Sequence, residues 1–554
     1  MSRIKRQNHA ELNFNNLWKG LALLLIPAGF LLLFFFLPLW EIFNTVIGEY
    51  FSKLIINWGK ISRVFFFTTL QALASTALTI IAGLPLAWIF SRYKFAGKKF
   101  FKSLFSVPFI LPTVVTAAAF SSLIGPRGTI NLWLMEIYDL QQPPIQLMNT
   151  IWIILIAHVF YNISVVMRIV GNAWSAIDVR LEDAAQTLGS TPWQTFRSVT
   201  FPLLKSSIAS SVLLVFLFDF TSYGVVLLLG GARYRTIEVE IAQQAMQMFN
   251  LPMAGLLSIL QIIVTVGITI IENRIKNDTK SNRIPKTADE NLKTPQHAWE
   301  KVAITVLLTV TSILLLSPLL SLALRSFIVF DSHSISWTSS YYQRLFINER
   351  SSFFYVPPIQ ALWNSLKNGF LAAVISLSIG MLIALANDRF RWTRKLNAVF
   401  MIPVGTSSVT LGLGYLLFFR SYIKHPLLIP FAHSLIGLPF VIRSLGPLFQ
   451  GIPASLRQAG AMLGASPLKV FTKIDLPILR RGLINAGIFA FTISLGEFGA
   501  TSFLSTPDRP TIPIAIFRFL GQPGATNYGQ AMAMSTILMC FCLLGIGVLE
   551  NDFA

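Results

Sequence analysis

Apolar runs of about 20 residues recur along the chain, each long enough to cross a bilayer as a helix. The pattern predicts six spans before residue 275, near 20–46, 64–90, 103–124, 150–171, 205–229 and 253–272. Six more follow near 302–324, 362–386, 396–419, 427–449, 481–505 and 530–549. Between the two sets, Glu272 to Glu300 is polar and Lys-rich and reads as a flexible linker. The chain therefore divides into a first half over 1–272, a cytoplasmic linker over 273–300 and a second half over 301–554. The fold class is an all-α integral membrane protein of about 12 transmembrane helices.

One long polar, helix-patterned stretch stands out, Leu181 to Pro202, and it returns as Leu456 to Pro477. Gly189 pairs with Gly464, Pro192 with Pro467, Phe196 with Phe471 and Pro202 with Pro477, each 275 residues apart. Leu181, Ala184, Ala185 and Leu188 form an apolar stripe at helical spacing. Gly189 falls where a left-handed cap ends a helix, and Thr191-Pro192 supplies an N-cap and an N1 proline to a second one. The second copy repeats this with Gly464, Ser466 and Pro467. Both second helices are expected to stop before Pro202 and Pro477. The product is a helix, a tight turn and a second helix, twice. A polar element kept in two matched copies reads as a docking surface and a lever rather than as a helix lying on the bilayer.

The repeat extends to His158 and His433, Arg168 and Arg443, and Thr236-Ile237 and Thr511-Ile512. Six spans per half is an even number, so the halves are parallel repeats with the solute path expected between them.

Composition supports the membrane reading and adds an orientation. The chain of 554 residues is 54% hydrophobic and 12% charged, with a mean hydropathy of +0.64. Its net charge of +20 does not point to nucleic acid. With the N-terminus in the cytoplasm, cytoplasmic segments hold about 28 Lys and Arg against about 13 in the outer loops. Both polar repeats and both termini then face the cytoplasm. Arg3, Lys5 and Arg6 precede an apolar run too long for a signal peptide, so that run reads as the first span. Cys540 and Cys542 sit two residues apart in the last span, on different helix faces, and neither pair nor share a metal. No phosphate-loop motif is present, so the chain is not itself an ATPase and no enzyme constellation appears.

The polar repeat resembles the EAA loop of permease subunits of ABC importers. Asp183-Ala184-Ala185 stands for Glu-Ala-Ala, with Gly189, Phe196 and Pro202 in register. The second copy matches through Gln458, Ala459, Gly464, Phe471 and Pro477, with Gly460 in place of the second Ala. The resemblance covers both halves and implies two fused permease subunits of the type I importer kind in a bacterial inner membrane. It implies two copies of a partner ABC ATPase, which hold the ATP and Mg, and an extracytoplasmic solute-binding protein docking on outer loops near 125–149, 230–250, 325–360 and 506–529. This chain itself carries no cofactor. The departures at Gln458 and Gly460 predict unequal docking of the two copies. Fused permeases resemble those for thiamine and for ferric iron; Gly230 to Met246 and Ala157 to Asn162 look most like the thiamine type. The alternative is a secondary transporter of the major-facilitator kind, also built from twelve helices in two parallel halves.

Within the spans, Asp219 and Glu497 are costly and are the candidates for lining a cation path, with Phe218, Phe220, Tyr223 and Phe498 as cation–π partners. Their bland alternative is pairing with Arg168, Arg443 or backbone. His158 and His433 read as histidines bonded to a neighbouring helix, not as a metal site. Arg168 and Arg443 are expected to snorkel or to bond the coupling region.

Overall fold

The computed structural model describes residues 14–47, 58–231, 233–280, 292–331, 334–348 and 355–551. Arg3, Lys5, Arg6 and the middle of the linker lie outside the described residues. Among those described, ten helices are long and apolar enough to cross a membrane, or twelve if each of two bent pairs is one span. In chain order these are α1 (Gly20–Ile47), α2 (Trp58–Arg92), α3 (Lys98–Ile110 with Thr113–Tyr138), α4 (Ile151–Ser175), α5 (Pro192–Phe220) and α6 (Leu251–Ile275). The second set is α7 (Ala298–Arg325), α8 (Ile359–Arg389), α9 (Trp392–Gly405 with Ser408–Phe418), α10 (Leu428–Gln450), α11 (Pro467–Gly496) and α12 (Ala525–Gly545).

The bends in α3 and α9 are equivalent, at 105° and 93°. In α3, Leu111 is extended ahead of Pro112, whose ring disfavours a helical residue before it. In α9, Thr406 is extended and Ser407 caps the new helix, its hydroxyl accepting from Val409 N and Thr410 N. Hydropathy marks each as one span, near 103–124 and 396–419, because it does not register the direction of the chain within an apolar run.

Two other expectations are corrected. The helices that open at Pro192 and Pro467 do not stop at Pro202 and Pro477. Each runs on into its span through a π-helical turn, Phe196–Thr200 and Phe471–Asp475. The wider turn accommodates a proline that has no N–H to give and whose ring would crowd the preceding turn. The fifth and eleventh spans also do not continue to 229 and 505. They end at Phe220 and Gly496, and short separate helices follow at Gly224–Leu229 and Gly499–Leu504.

Within the first half α2, α4 and α5 pack together, and within the second α8, α10 and α11 do the same. The first span of each set crosses over. The Leu37–Ile47 part of α1 packs on Ser408–Phe418 of α9, with Phe34 stacked on Phe431 at 4.2 Å. Reciprocally, α7 packs on Thr113–Ile124 of α3, where Ser321 Oγ donates to the Ser122 carbonyl at 2.8 Å. Buried Glu238 adds a polar tie: it accepts from Ser407 Oγ at 2.7 Å and from Gln261 Nε2. The linker is not wholly free either. Lys293 bridges to Tyr93 at the end of α2, its N–H donating to the Arg92 carbonyl at 2.8 Å.

Candidate functional site

The two polar repeats form matching elements at one end of the bundle. The first helix runs Val179–Thr187 in one copy and Ala454–Met462 in the other. Gly189 and Gly464 turn the chain with φ of +90° and +77°, a left-handed conformation that glycine adopts without a Cβ penalty. Thr191 forms a capping box with Gln194, and the Ser466 hydroxyl accepts from Lys469 N. Phe196 and Phe471 are half-buried and root the element against the bundle. Asp183, Ala184, Pro192, Pro202, Gln458, Ala459, Gly464, Pro467 and Pro477 are exposed, and Ala185 is half-buried.

The apolar stripe read from the sequence faces solvent. Leu188 is 88% exposed and its repeat mate Leu463 is 89%. Trp193 and its mate Leu468 are also exposed. These four large apolar side chains stand exposed on an otherwise polar tip. Their matched positions were legible in the sequence, but their outward direction was not.

Where α5 and α11 break, a cavity of about 350 Å³ lies between the halves. Half-exposed phenyl rings front it: Phe109 beside Phe218 in the first half, with centroids 5.8 Å apart, and Phe440 beside Phe489 in the second, 5.5 Å apart. Tyr223 and Phe498, repeat mates 275 residues apart, stack across the two halves at 5.3 Å and 19°. They line the cavity together with residues of α3, α4, α5, α10 and α11. Phe220 is turned away, packing on Phe216 and Phe65.

Asp219 and Glu497 both border this cavity, from behind its wall; they are 0% and 7% exposed. Neither pairs with arginine: Arg168 and Arg443 are exposed. Each acid sits instead beside the histidine of its own half. His158 Nδ1 lies 3.5 Å from Asp219 Oδ1 and is hydrogen-bonded to Ser75 Oγ at 2.9 Å, while Nε2 bonds Ser222 Oγ at 2.8 Å. His433 Nε2 lies 3.2 Å from Glu497 Oε2 and bonds Thr501 Oγ1 at 2.8 Å, while Nδ1 bonds Ser494 Oγ at 2.6 Å. Ser494 is the repeat mate of Asp219, and Ser222 that of Glu497. The two halves thus hold one acid and one hydroxyl at the same two positions, in exchanged order. No sequence offset pairs the acids, so only the histidines, which do match, reveal their equivalence.

The acids differ in what they hold. Glu497 accepts from Ala500 N at 2.9 Å, Thr501 N at 3.0 Å and Thr501 Oγ1 at 2.7 Å, so it secures the start of the helix after the break. Asp219 Oδ1 accepts from Asn162 Nδ2 at 2.8 Å. Its Oδ2 is left without a bond of normal geometry, with the Thr76 hydroxyl alongside. No group of three or more metal-ligating side chains occurs among the described residues.

A bundle with crossed first spans, an interhalf cavity and two matching polar elements at one end has the architecture of a transport permease. The chain is a fused permease subunit of the binding-protein-dependent ABC importers: the family described as "Binding-protein-dependent transport system inner membrane component" matches residues 79–277. Over nearly its whole length it is similar to thiamine transport system permease proteins. It is 26% identical to that of Escherichia coli strain K12 over 505 residues, 87% of each chain. To that of Haemophilus influenzae it is 26% identical over 534 residues, 93% of this chain and 94% of the relative, and to that of Brucella suis 25% over 494 residues. It is therefore a multi-pass inner-membrane transport subunit and not an enzyme. Its ATPase is a separate subunit and a solute-binding protein is its second partner. The secondary-transporter alternative is not favoured.

Proposed function

We propose that this permease passes a small organic cation of the thiamine kind through the cavity between its halves. The observation that carries this is the aromatic cavity itself. Four phenyl rings front it, an aromatic pair stacks across the two halves in its lining, and two hydrogen-bonded carboxylates border it. Ring faces attract a desolvated cation and buried carboxylates supply a negative field, while the cavity's size is ordinary for a small-molecule site (about 300–1,000 Å³). The names of the similar permeases point to the same solute. Tyr223 and Phe498 act as the gate, with Asp219 the acid that answers the cation and Glu497 the one that fixes the gate helix.

On this reading the coupling elements around Asp183 and Gln458 face the cytoplasm, as do both termini. Each receives one copy of the ATPase, which carries ATP and Mg. The binding protein delivers solute to the loops at the opposite end. The first half over 1–272 and the second over 301–554 then rock about the cavity as the ATPase pair closes. In proteoliposomes holding the permease, its ATPase and its binding protein, labelled thiamine is expected to accumulate only with ATP. Accumulation of ferric iron but not thiamine would overturn the cation reading, and uptake by the permease alone on an ion gradient would overturn the importer reading.

The docking surface makes a separate prediction. Trp193→Ala removes a large exposed anchor, and is expected to weaken ATPase binding by about 30-fold (~2 kcal/mol). Leu468→Ala removes less area and is expected to cost less. Titration of detergent-solubilised permease with labelled ATPase compares the two.

A further inference from the structure

Glu182 and Arg457 stand at the same point of the two coupling elements, 275 residues apart, just before Asp183 and Gln458. Glu182 accepts from Thr200 Oγ1 at 2.6 Å and pairs with Arg92, the last residue of α2. Arg457 donates from Nε to Asp475 at 2.8 Å and from Nη1 to Asp388 at 2.6 Å. Thr200 and Asp475 are again 275 residues apart and end the two π-helical turns. Arg92 and Asp388 occupy the same ends of the equivalent spans α2 and α8. Each half therefore ties the same three points together, with the charges reversed at the coupling element and at the span end, and with neutral Thr200 standing where the second half has Asp475.

These ties are shielded. The Arg92 and Asp475 side chains are 8% and 1% exposed, whereas the Asp183–Lys293 pair beside them is 58% and 61% exposed and contributes little. Burial alone would lower the Arg457 pKa, but its bonds with Asp475 and Asp388 outweigh that and hold it above the usual arginine value. Removing one partner of such a pair leaves an uncompensated charge in a dry place.

We propose that Glu182 and Arg457 are positioning residues that make each coupling element move as one body with two spans of its own half. Their reversed polarity keeps either element from seating on the other half. The proposal rests on the coupling role argued above. A glutamate at 457 would face Asp388 and Asp475, three carboxylates together. The same glutamate would be accepted if position 388 held arginine and 475 held threonine, which copies the first half's triad.

The test uses the full-length permease with its ATPase in nanodiscs. Ile436→Cys places a reporter thiol in the cavity, with Cys540→Ser and Cys542→Ala removing the native ones. Maleimide labelling with and without ATP reads the motion of the cavity, and co-purification reads docking. Arg457→Glu is expected to keep its ATPase while the ATP-dependent change in labelling rate falls about tenfold. Adding Asp388→Arg and Asp475→Thr is expected to restore it. A wild-type response from Arg457→Glu, or a triple variant as defective as the single one, overturns the triad. Failure of the unaltered permease to co-purify with the ATPase overturns the coupling reading and the triad with it.

Discussion

Glu497→Ala is expected to destabilise the permease by about 3–5 kcal/mol and to abolish uptake. The carboxylate is the acceptor for two backbone N–H groups, one hydroxyl and a neighbouring histidine, all buried. Alanine leaves each of those donors unsatisfied where no water replaces the bond, at roughly 1–3 kcal/mol per orphaned group. Glu497→Gln keeps one acceptor oxygen and is expected to lose less than half as much. Asp219→Asn is the contrasting case. It retains the Oδ1 acceptor for Asn162 and removes only the charge, so stability is expected to hold while uptake of a cation falls. Thermal unfolding of the purified permease, set beside proteoliposome uptake, separates the two roles. Equal destabilisation by Asp219→Asn and Glu497→Ala would show that both acids are merely structural.

The second large effect is expected at the glycines that seat the helices after the breaks. A Cβ on Gly499 would stand 2.1 Å from Ser408 Oγ and 3.1 Å from Ser408 Cβ. Its repeat mate Gly224 would meet Thr113 Oγ1 at 2.2 Å and Thr113 Cβ at 2.9 Å, with a ring atom of Phe498 at 3.3 Å. Valine at either position must push the short helix off α9 or α3, at about 1–3 kcal/mol each. Because Tyr223 and Phe498 immediately precede these glycines, the displacement also separates the stacked rings. Gly224→Val and Gly499→Val are therefore expected to leave the gate open, read as solute leak through the permease without ATP. Ser408→Ala is expected to recover part of the Gly499→Val loss, since it removes the closest atom and leaves the Cβ contact. A tight, fully stable Gly499→Val permease would show that the seat has slack.

The coupling elements were the most legible feature of the chain because their grammar is local. Glycine at a left-handed turn and a hydroxyl before a proline report backbone geometry from neighbouring residues alone. The expectation that Asp183 and Gln458 hold the asymmetry between the levers drew on the exposed positions. The structure adds the adjacent pair, Glu182 and Arg457, whose opposite charges are half-buried in ties to α2 and α8. Nothing local marks them, since their partners lie 90 and 69 residues away. Gly460 is similarly clarified: an alanine there would meet Ile474 Cδ1 at 2.7 Å, so the smaller residue suits the packing under that element.

By itself the sequence determined the apolar spans, the paired polar helix–turn–helix elements and the presence of ionisable groups within the spans. Each of these follows from composition within a window or from a repeat at fixed offset. Tertiary structure alone decided where spans bend and break, that α1 and α7 cross to the opposite half, and that Asp219 and Glu497 become equivalent through His158 and His433. The reason is physical. Hydrophobicity fixes which segments leave water, but once inside, every segment is equally apolar, and what distinguishes them is steric fit and the few polar groups that must find each other across the bundle.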